Sequence, residues 1–184
     1  MNIKLLGATL ALACAPIPLL AADAPLQPKD LRRTMGLKLG YWRSTMTITE
    51  ASAEPSPGAD PAVAQNAQQG LREQIGKARS VDECLWDRPD AIALPAFHLD
   101  NGCTVTRLEA ANGNLRLAAS CGTASGGFHV ASNLSGSYTP KTVSMVTDID
   151  TVTGPVRVLL KAKIEGRYVG ACPTPPVMIE KPKP

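Results

Sequence analysis

From residue 103 onward the chain reads as one strand after another, and that run limits the fold more than any other feature. Apolar and polar residues in strict alternation put every second side chain on one face of a half-buried strand. Val156, Val158, Leu160, Ala162 and Ile164 alternate with Arg157, Leu159, Lys161, Lys163 and Glu165. Phe128, Val130, Leu134 and Tyr138 share one side of an earlier segment, with His129 and Asn133 opposite. The predicted strands are residues 103–111, 114–121, 126–138, 141–150 and 155–169. Asn112-Gly113, the stretch 122–127, Thr139-Pro140 and the stretch 153–155 separate them.

Asn-Gly between two strands signals a tight hairpin, because both turn residues take positive φ. A two-residue turn there sets Ala111 opposite Asn114, Ala110 opposite Leu115, Glu109 opposite Arg116 and Leu108 opposite Leu117. Continued without interruption, this register sets Thr106 opposite Ala119 and Thr104 opposite Cys121. Short links between successive strands imply an antiparallel meander with one solvated side. The expected fold class is therefore mainly β: a curved antiparallel meander, half-barrel or barrel-like, with one accessory α-helix.

The accessory helix is predicted over residues 62–78, where Val63, Ala67, Leu71, Ile75 and Ala78 form one stripe. Gly70 lies inside it, at a cost of about 1 kcal/mol relative to alanine. Residues 37–50 form the first predicted strand, with Thr45, Thr47 and Thr49 alternating with Met46 and Ile48. The stretch 51–61, rich in Ala, Ser, Pro and Gly, reads as a loop, and 79–86 as a short strand carrying Cys84. Residues 87–102 read as a connection with one helical turn near 90–94. The expected organisation is thus a leader at 23–36, a single β-rich domain at 37–172 with a helical insertion, and a Pro/Lys tail at 173–184. Aromatic residues make up only 4% of the chain, so the core has to rest on Val, Leu, Ile, Met and Ala. Trp42 and Trp86 read as core or core-rim residues.

The N-terminus sets the compartment. Lys4 precedes a largely apolar run from Leu5 to Leu20, followed by Ala21, Ala22 and the first acid, Asp23. This is the pattern of a secretory signal peptide cleaved near Ala22, with no stop-transfer segment after it. The expected location is periplasmic or secreted, with no transmembrane span in the mature chain. Cys14 is followed by further apolar residues, unlike a lipidation site, and leaves with the signal. Removing residues 1–22 takes away Lys4 and no acid, which lowers the formal net charge from +3 to +2. The remaining Lys and Arg are dispersed, which argues against nucleic acid as a partner.

Four cysteines remain: Cys84, Cys103, Cys121 and Cys172. An even set in an oxidising compartment reads as two disulfides. No Cys-x-x-Cys pair suggests redox catalysis, and no close ligand pairs suggest zinc. The pairing stays open. The uninterrupted hairpin register puts Cys121 on the apolar side and Cys103 on the other, favouring Cys121 with Cys172 and Cys84 with Cys103. A strict meander instead puts Cys103 and Cys121 together at one end of the sheet, with Cys172 at the other.

No catalytic constellation emerges. His98 and His129 are the two histidines, and neither has a ligand-spaced neighbour. Ser125 or Ser132 with His129 and Asp148 gives a hydrolase trio only on paper, since no Gly-x-Ser-x-Gly elbow exists. Asp148 and Asp150, on one side of a strand next to a turn, read as solvated loop-edge carboxylates rather than a general acid/base pair. Gly122 to Gly127 lacks the lysine and helix of a phosphate cradle. No cofactor or metal is expected.

The cysteine contexts, taken in order, resemble a known family. After the signal come Gly40-Tyr41-Trp42 opening a strand, Cys84-Leu85, Gly102-Cys103-Thr104-Val105-Thr106, Ser120-Cys121 and a closing Gly170-Ala171-Cys172. This order is similar to the secreted proteobacterial domain-of-unknown-function 3617 family over about residues 37–172. The chain departs from the family at Trp86, where threonine is usual, and in segment 62–78. The resemblance implies a periplasmic location and carries over no catalytic residue. The expectation is a non-enzymatic, disulfide-held domain that binds an envelope protein or an apolar small molecule, with Phe128, Val130, Val158 and Leu160 lining an apolar pocket. The alternatives are a hydrolase or isomerase with an unrecognised site, and an envelope assembly or stress factor acting through a sheet edge or the tail.

Overall fold

The computed structural model describes residues 27, 30–86, 92–99, 102–122 and 128–173. The signal segment, Ser125 and the tail from residue 174 lie outside them. Two helices and nine strands are present among the described residues: α1 (Leu31–Met35), β1 (Gly40–Pro55), α2 (Pro61–Arg72), β2 (Ala78–Leu85), β3 (Ile92–Leu94), β4 (Phe97–Leu99), β5 (Cys103–Ala111), β6 (Asn114–Gly122), β7 (Phe128–Thr139), β8 (Thr142–Thr153) and β9 (Val156–Gly170). Seven strands form one antiparallel sheet in the order β2-β1-β9-β8-β7-β6-β5. The expected meander is its second half, β5 to β9. The sheet is open rather than closed into a barrel: β2 and β5 are its edges.

Local chemistry fixes the turns. Asn112 and Gly113 take φ of 51° and 73°, the positive values the hairpin requires. Thr139 accepts backbone bonds from Lys141 and Thr142 at 3.3 and 3.0 Å, closing β7 onto β8. Gly154, with φ 57°, turns β8 into β9.

One face of the sheet is buried. Trp42, Leu115, Leu117, Leu134, Val143, Met145 and Ile164 point from it into the core. At the end bearing Gly40, Leu85, Thr142 and Gly170, here the upper end, α1 and the separate β3–β4 hairpin close over this inner face. Leu31, Met35, Leu37, Ile92, Leu94, Phe97 and Leu99 complete the core there. Trp42 is fully buried, donates from Nε1 to the Lys38 carbonyl at 2.9 Å and meets the Tyr168 ring edge-on.

Several expectations need correction. The segment 23–36 is not wholly a loose leader: α1 lies within it. Leu31 and Met35, four residues apart, fall on one helical face and are 1% and 3% exposed. Residues 51–55 are not loop but the continuation of β1, paired to β9 as far as Pro55↔Val156. The helix ends at Arg72 instead of 78, because Gly76 turns back to bond Ile48 and β2 starts at Ala78. The expected helical turn near 90–94 falls partly outside the described residues; those described, Ile92–Leu94, form strand β3, paired to β4 around Pro95-Ala96.

The hairpin register holds from Ala111↔Asn114 to Leu108↔Leu117, then shifts. Arg107 pairs with Ala118 and Val105 with Ala119, so Thr106 is the extra residue of a β-bulge. Its Oγ1 donates to the Ala118 carbonyl at 3.3 Å. Thr104 therefore faces Ser120, not Cys121, and Cys103 faces Cys121.

Candidate functional site

The cysteines pair as Cys84–Cys172 and Cys103–Cys121, with Cα separations of 5.8 and 4.1 Å. The parity argument for Cys121 with Cys172 and Cys84 with Cys103 is thereby overturned by the bulge at Thr106, and the argument from the ends of the meander holds. Each bridge secures one edge of the sheet. Cys103–Cys121 ties edge strand β5 to β6 at the lower end. Cys84–Cys172 spans β1 at the upper end, joining edge strand β2 to the residues after β9.

The lower half of the inner face is less enclosed than the upper. Val130 pairs with Thr151, which pairs with Val158, which pairs with Ala53, so these four share one face across four strands. One level up lie Ser132, Ile149, Leu160 and Ala51; one level down, Phe128, Thr153, Val156 and Pro55. The side chains expected to line an apolar pocket thus stand on the inner face of two strands, β7 and β9. Val130, Val158 and Leu160 are half-buried, and Phe128 is 41% exposed at the rim. Burial rises from there toward the core: Ser132 is 5% exposed and Thr147 only 1%. The Thr147 hydroxyl and that of Ser44 are buried with no hydrogen-bond partner.

The outer face is ionic. Lys161 Nζ lies 3.3 Å from Glu50, and Arg157 grips Asp150 through Nε and Nη2 at 2.9 and 2.6 Å. The hydrogen bonds from Arg157 hold the Asp150 carboxyl below its ordinary range against the opposing effect of burial. Arg43 and Asp82, cross-strand partners of β1 and β2, form a second two-pronged pair at 2.8 and 3.1 Å that lowers the Asp82 pKa. A shallow groove of about 560 Å³ crosses this face over Asn133, Asp148, Asp150, Leu159, Lys161 and Glu50. Leu160 also lines it, though its side chain belongs to the inner face.

The hydrolase trio does not assemble. Ser132 is on the inner face, whereas His129 and Asp148 are exposed on the outer one, as the opposite parity of β7 residues 129 and 132 requires. His98 does meet a carboxylate, a contact that sequence spacing did not suggest. Its Nε2 lies 2.6 Å from Glu83 Oε2, and Glu83 Oε1 accepts from the Ala96 backbone N–H. Glu83 belongs to β2 and its side chain is 14% exposed. This carboxylate fastens the β3–β4 turn, where Ala96 takes φ 56°, to the sheet edge. Ser44, which with Pro95 lies against Gly166, is fully buried and so is not a solvent-reached serine. Among the described residues no group of three or more His, Cys, Asp or Glu is placed to hold a metal ion. Among them, too, no helix is long and apolar enough to cross a membrane.

A family model described as a protein of unknown function, DUF3617, matches residues 37–172. The chain belongs to that family. No curated protein and no solved structure matches it.

Proposed function

We propose that this member of the DUF3617 family is a non-enzymatic binding domain of the bacterial envelope, and that the lower half of its inner sheet face takes an apolar small molecule. One observation carries the reading. The same face that is sealed by α1 and the β3–β4 hairpin above has its apolar side chains only half-buried below, with Phe128 at the rim. Convergent apolar residues with a few polar groups are the usual lining of small-molecule sites. Most of these side chains are recessed rather than presented, which favours an acyl chain or similar ligand over a flat protein partner. The periplasmic location rests on the N-terminal signal pattern and agrees with two disulfides, which persist in oxidising compartments.

The test is native mass spectrometry and organic extraction of protein purified from the periplasm. The wild type is expected to carry an apolar species, and Val158→Lys to lose it while keeping its circular dichroism. Extracts free of apolar species from wild type, or a species retained equally by Val158→Lys, end the reading. Crosslinking that captures one reproducible envelope protein through Phe128 would replace the small molecule with a partner.

A further inference from the structure

Strand β1 is longer than its neighbour β2, and the excess is handled in an unusual way. β2 pairs with β1 only from Gly40 to Thr47. Beyond that point β1 continues to Pro55 with β9 on one side and α2 on the other. An unpaired strand edge is a row of peptide donors and acceptors that attracts another strand. Here the side chain of Gln68 answers two of them. Its Oε1 accepts from Ala53 N at 2.8 Å and its Nε2 donates to Ala51 O at 3.3 Å. The Gln68 carboxamide thus turns an N–H and a carbonyl oxygen toward the strand, the donor and acceptor that the backbone of an added strand would also supply.

The helix that brings Gln68 there is lightly held. It starts at the lower end, with Pro61 in its first turn and the Asp60 carboxylate accepting from Ala62 N at 2.8 Å. Of its twelve residues only Ala64 is buried. Between it and the strand edge runs a groove of about 640 Å³ lined by Ala53, Pro55, Gln65, Gln68, Gln69 and Arg72, among others. Arg72 is the one charged residue of that lining; it is exposed and has no ionic partner among the described residues.

We propose that this groove takes an extended peptide, which adds to β1 as a strand by displacing the Gln68 carboxamide and sets a carboxylate on Arg72. Strand addition draws its affinity from main-chain hydrogen bonds, which Ala51 and Ala53 provide. The exchange loses little, because backbone N–H and C=O groups can replace both bonds that Gln68 makes to β1. Arg72, at the far end of the helix from the strand's Pro55, fixes which end of the peptide lies where. The groove adjoins the face proposed for an apolar molecule and shares Ala53 and Pro55 with it, but this proposal rests on the strand edge and Gln68 and is tested apart from it.

The probe is a fluorescein-labelled Ser-Thr-Val-Thr-Val-Thr peptide with a free C-terminal carboxylate, compared with its amidated form, on the mature full chain. Saturable binding of the free acid by fluorescence anisotropy is expected, with the amide about fivefold weaker, the scale of one exposed ion pair. Arg72→Ala should remove that difference. Ala53→Pro should abolish binding of both, since it deletes the edge N–H while proline is tolerated on a strand edge. No saturable binding of the acid, or binding that survives Ala53→Pro, overturns the proposal. Should Ala53→Pro misfold, NMR of the wild type decides: the Gln68 side-chain NH2 and the Ala53 amide must shift on adding peptide, and unmoved signals overturn it. A dimer that forms through this edge and excludes the peptide also overturns it, by naming a second copy of the chain as occupant.

Discussion

Cys103 and Cys121 face each other across β5 and β6 with their Cα atoms 4.1 Å apart, a pairing that the single bulged residue Thr106 creates. Together with Cys84–Cys172 it leaves neither edge strand of the sheet unstapled, and the two staples sit at opposite ends. Their worth differs. A cross-link restricts the unfolded chain more when it closes a longer loop, and the sequence separations are 18 and 88 residues. On that model the shorter loop contributes about 3 kcal/mol and the longer about 4.5 kcal/mol. The Cys84→Ser/Cys172→Ser variant should therefore unfold at lower urea than Cys103→Ser/Cys121→Ser. Equilibrium unfolding followed by circular dichroism checks the order, and the reverse order would show that the bulged hairpin depends on its bridge for native geometry.

That bulge also marks where the sequence stopped being readable. Alternation exposed the five meander strands, and Asn112-Gly113 fixed their first register, because both signals are local. Thr106 interrupts neither signal: a threonine between Val105 and Arg107 looks like one more polar position, and only the pairing with Ala119 makes it a surplus residue. The same limit hid α1, whose two core residues lie among Pro, Lys and Arg, and the β3–β4 hairpin, whose positive-φ turn residue is Ala96 rather than Gly or Asn. The parity of Phe128, Val130, Val158 and Leu160 was legible strand by strand, and the pairing of β7 and β9 through β8 puts all four on one face. The contact of Glu83 with His98 was not legible, since it joins two elements by tertiary packing alone.

Glu83 is expected to matter more for stability than an edge-strand acid ordinarily does. It is the acceptor for the Ala96 N–H and the partner of His98, and its side chain is 14% exposed. Glu83→Ala leaves a part-buried amide without its acceptor, at a cost of about 1–3 kcal/mol. Glu83→Gln keeps an oxygen for Ala96 and should lose less. Hydrogen exchange locates the effect: protection should fall at Phe97, His98 and Leu99 ahead of the meander strands. Uniform loss across the sheet would mean that Glu83 does not act through the hairpin.

Gly40 and Trp42 explain their shared motif in physical terms. Gly40 takes φ 129°, and a Cβ there would run into the Gly170 carbonyl and the Tyr168 ring. Gly40→Ala should cost about 2 kcal/mol or more, from backbone strain together with the clash. Trp42 fills the inner face at full burial, so Trp42→Ala should cost about 3–5 kcal/mol. Trp42→Phe, which forfeits chiefly the bond to the Lys38 carbonyl and some volume, should fall well short of that. Urea midpoints for the three variants test the ranking.

Acid should weaken the sheet through two outer-face pairs, and the sign follows from the direction of their shifts. Arg43 lowers the pKa of Asp82 and Arg157 that of Asp150, chiefly by hydrogen bonding to the carboxylates. The unfolded chain then takes up these protons first as pH falls below about 4, the ordinary carboxylate value, so stability declines from there until both folded groups are protonated. Above that window both contributions are complete, and the two pairs add no further dependence of stability on pH. Asp82→Asn/Asp150→Asn should flatten the acid limb of a plot of unfolding midpoint against pH, with little change at neutral pH, because the pairs are solvent-screened. The flattening should also shrink in high salt, which screens the coulombic part of each pair. An acid limb equally steep in the double variant would place the sensitive carboxylates elsewhere in the chain.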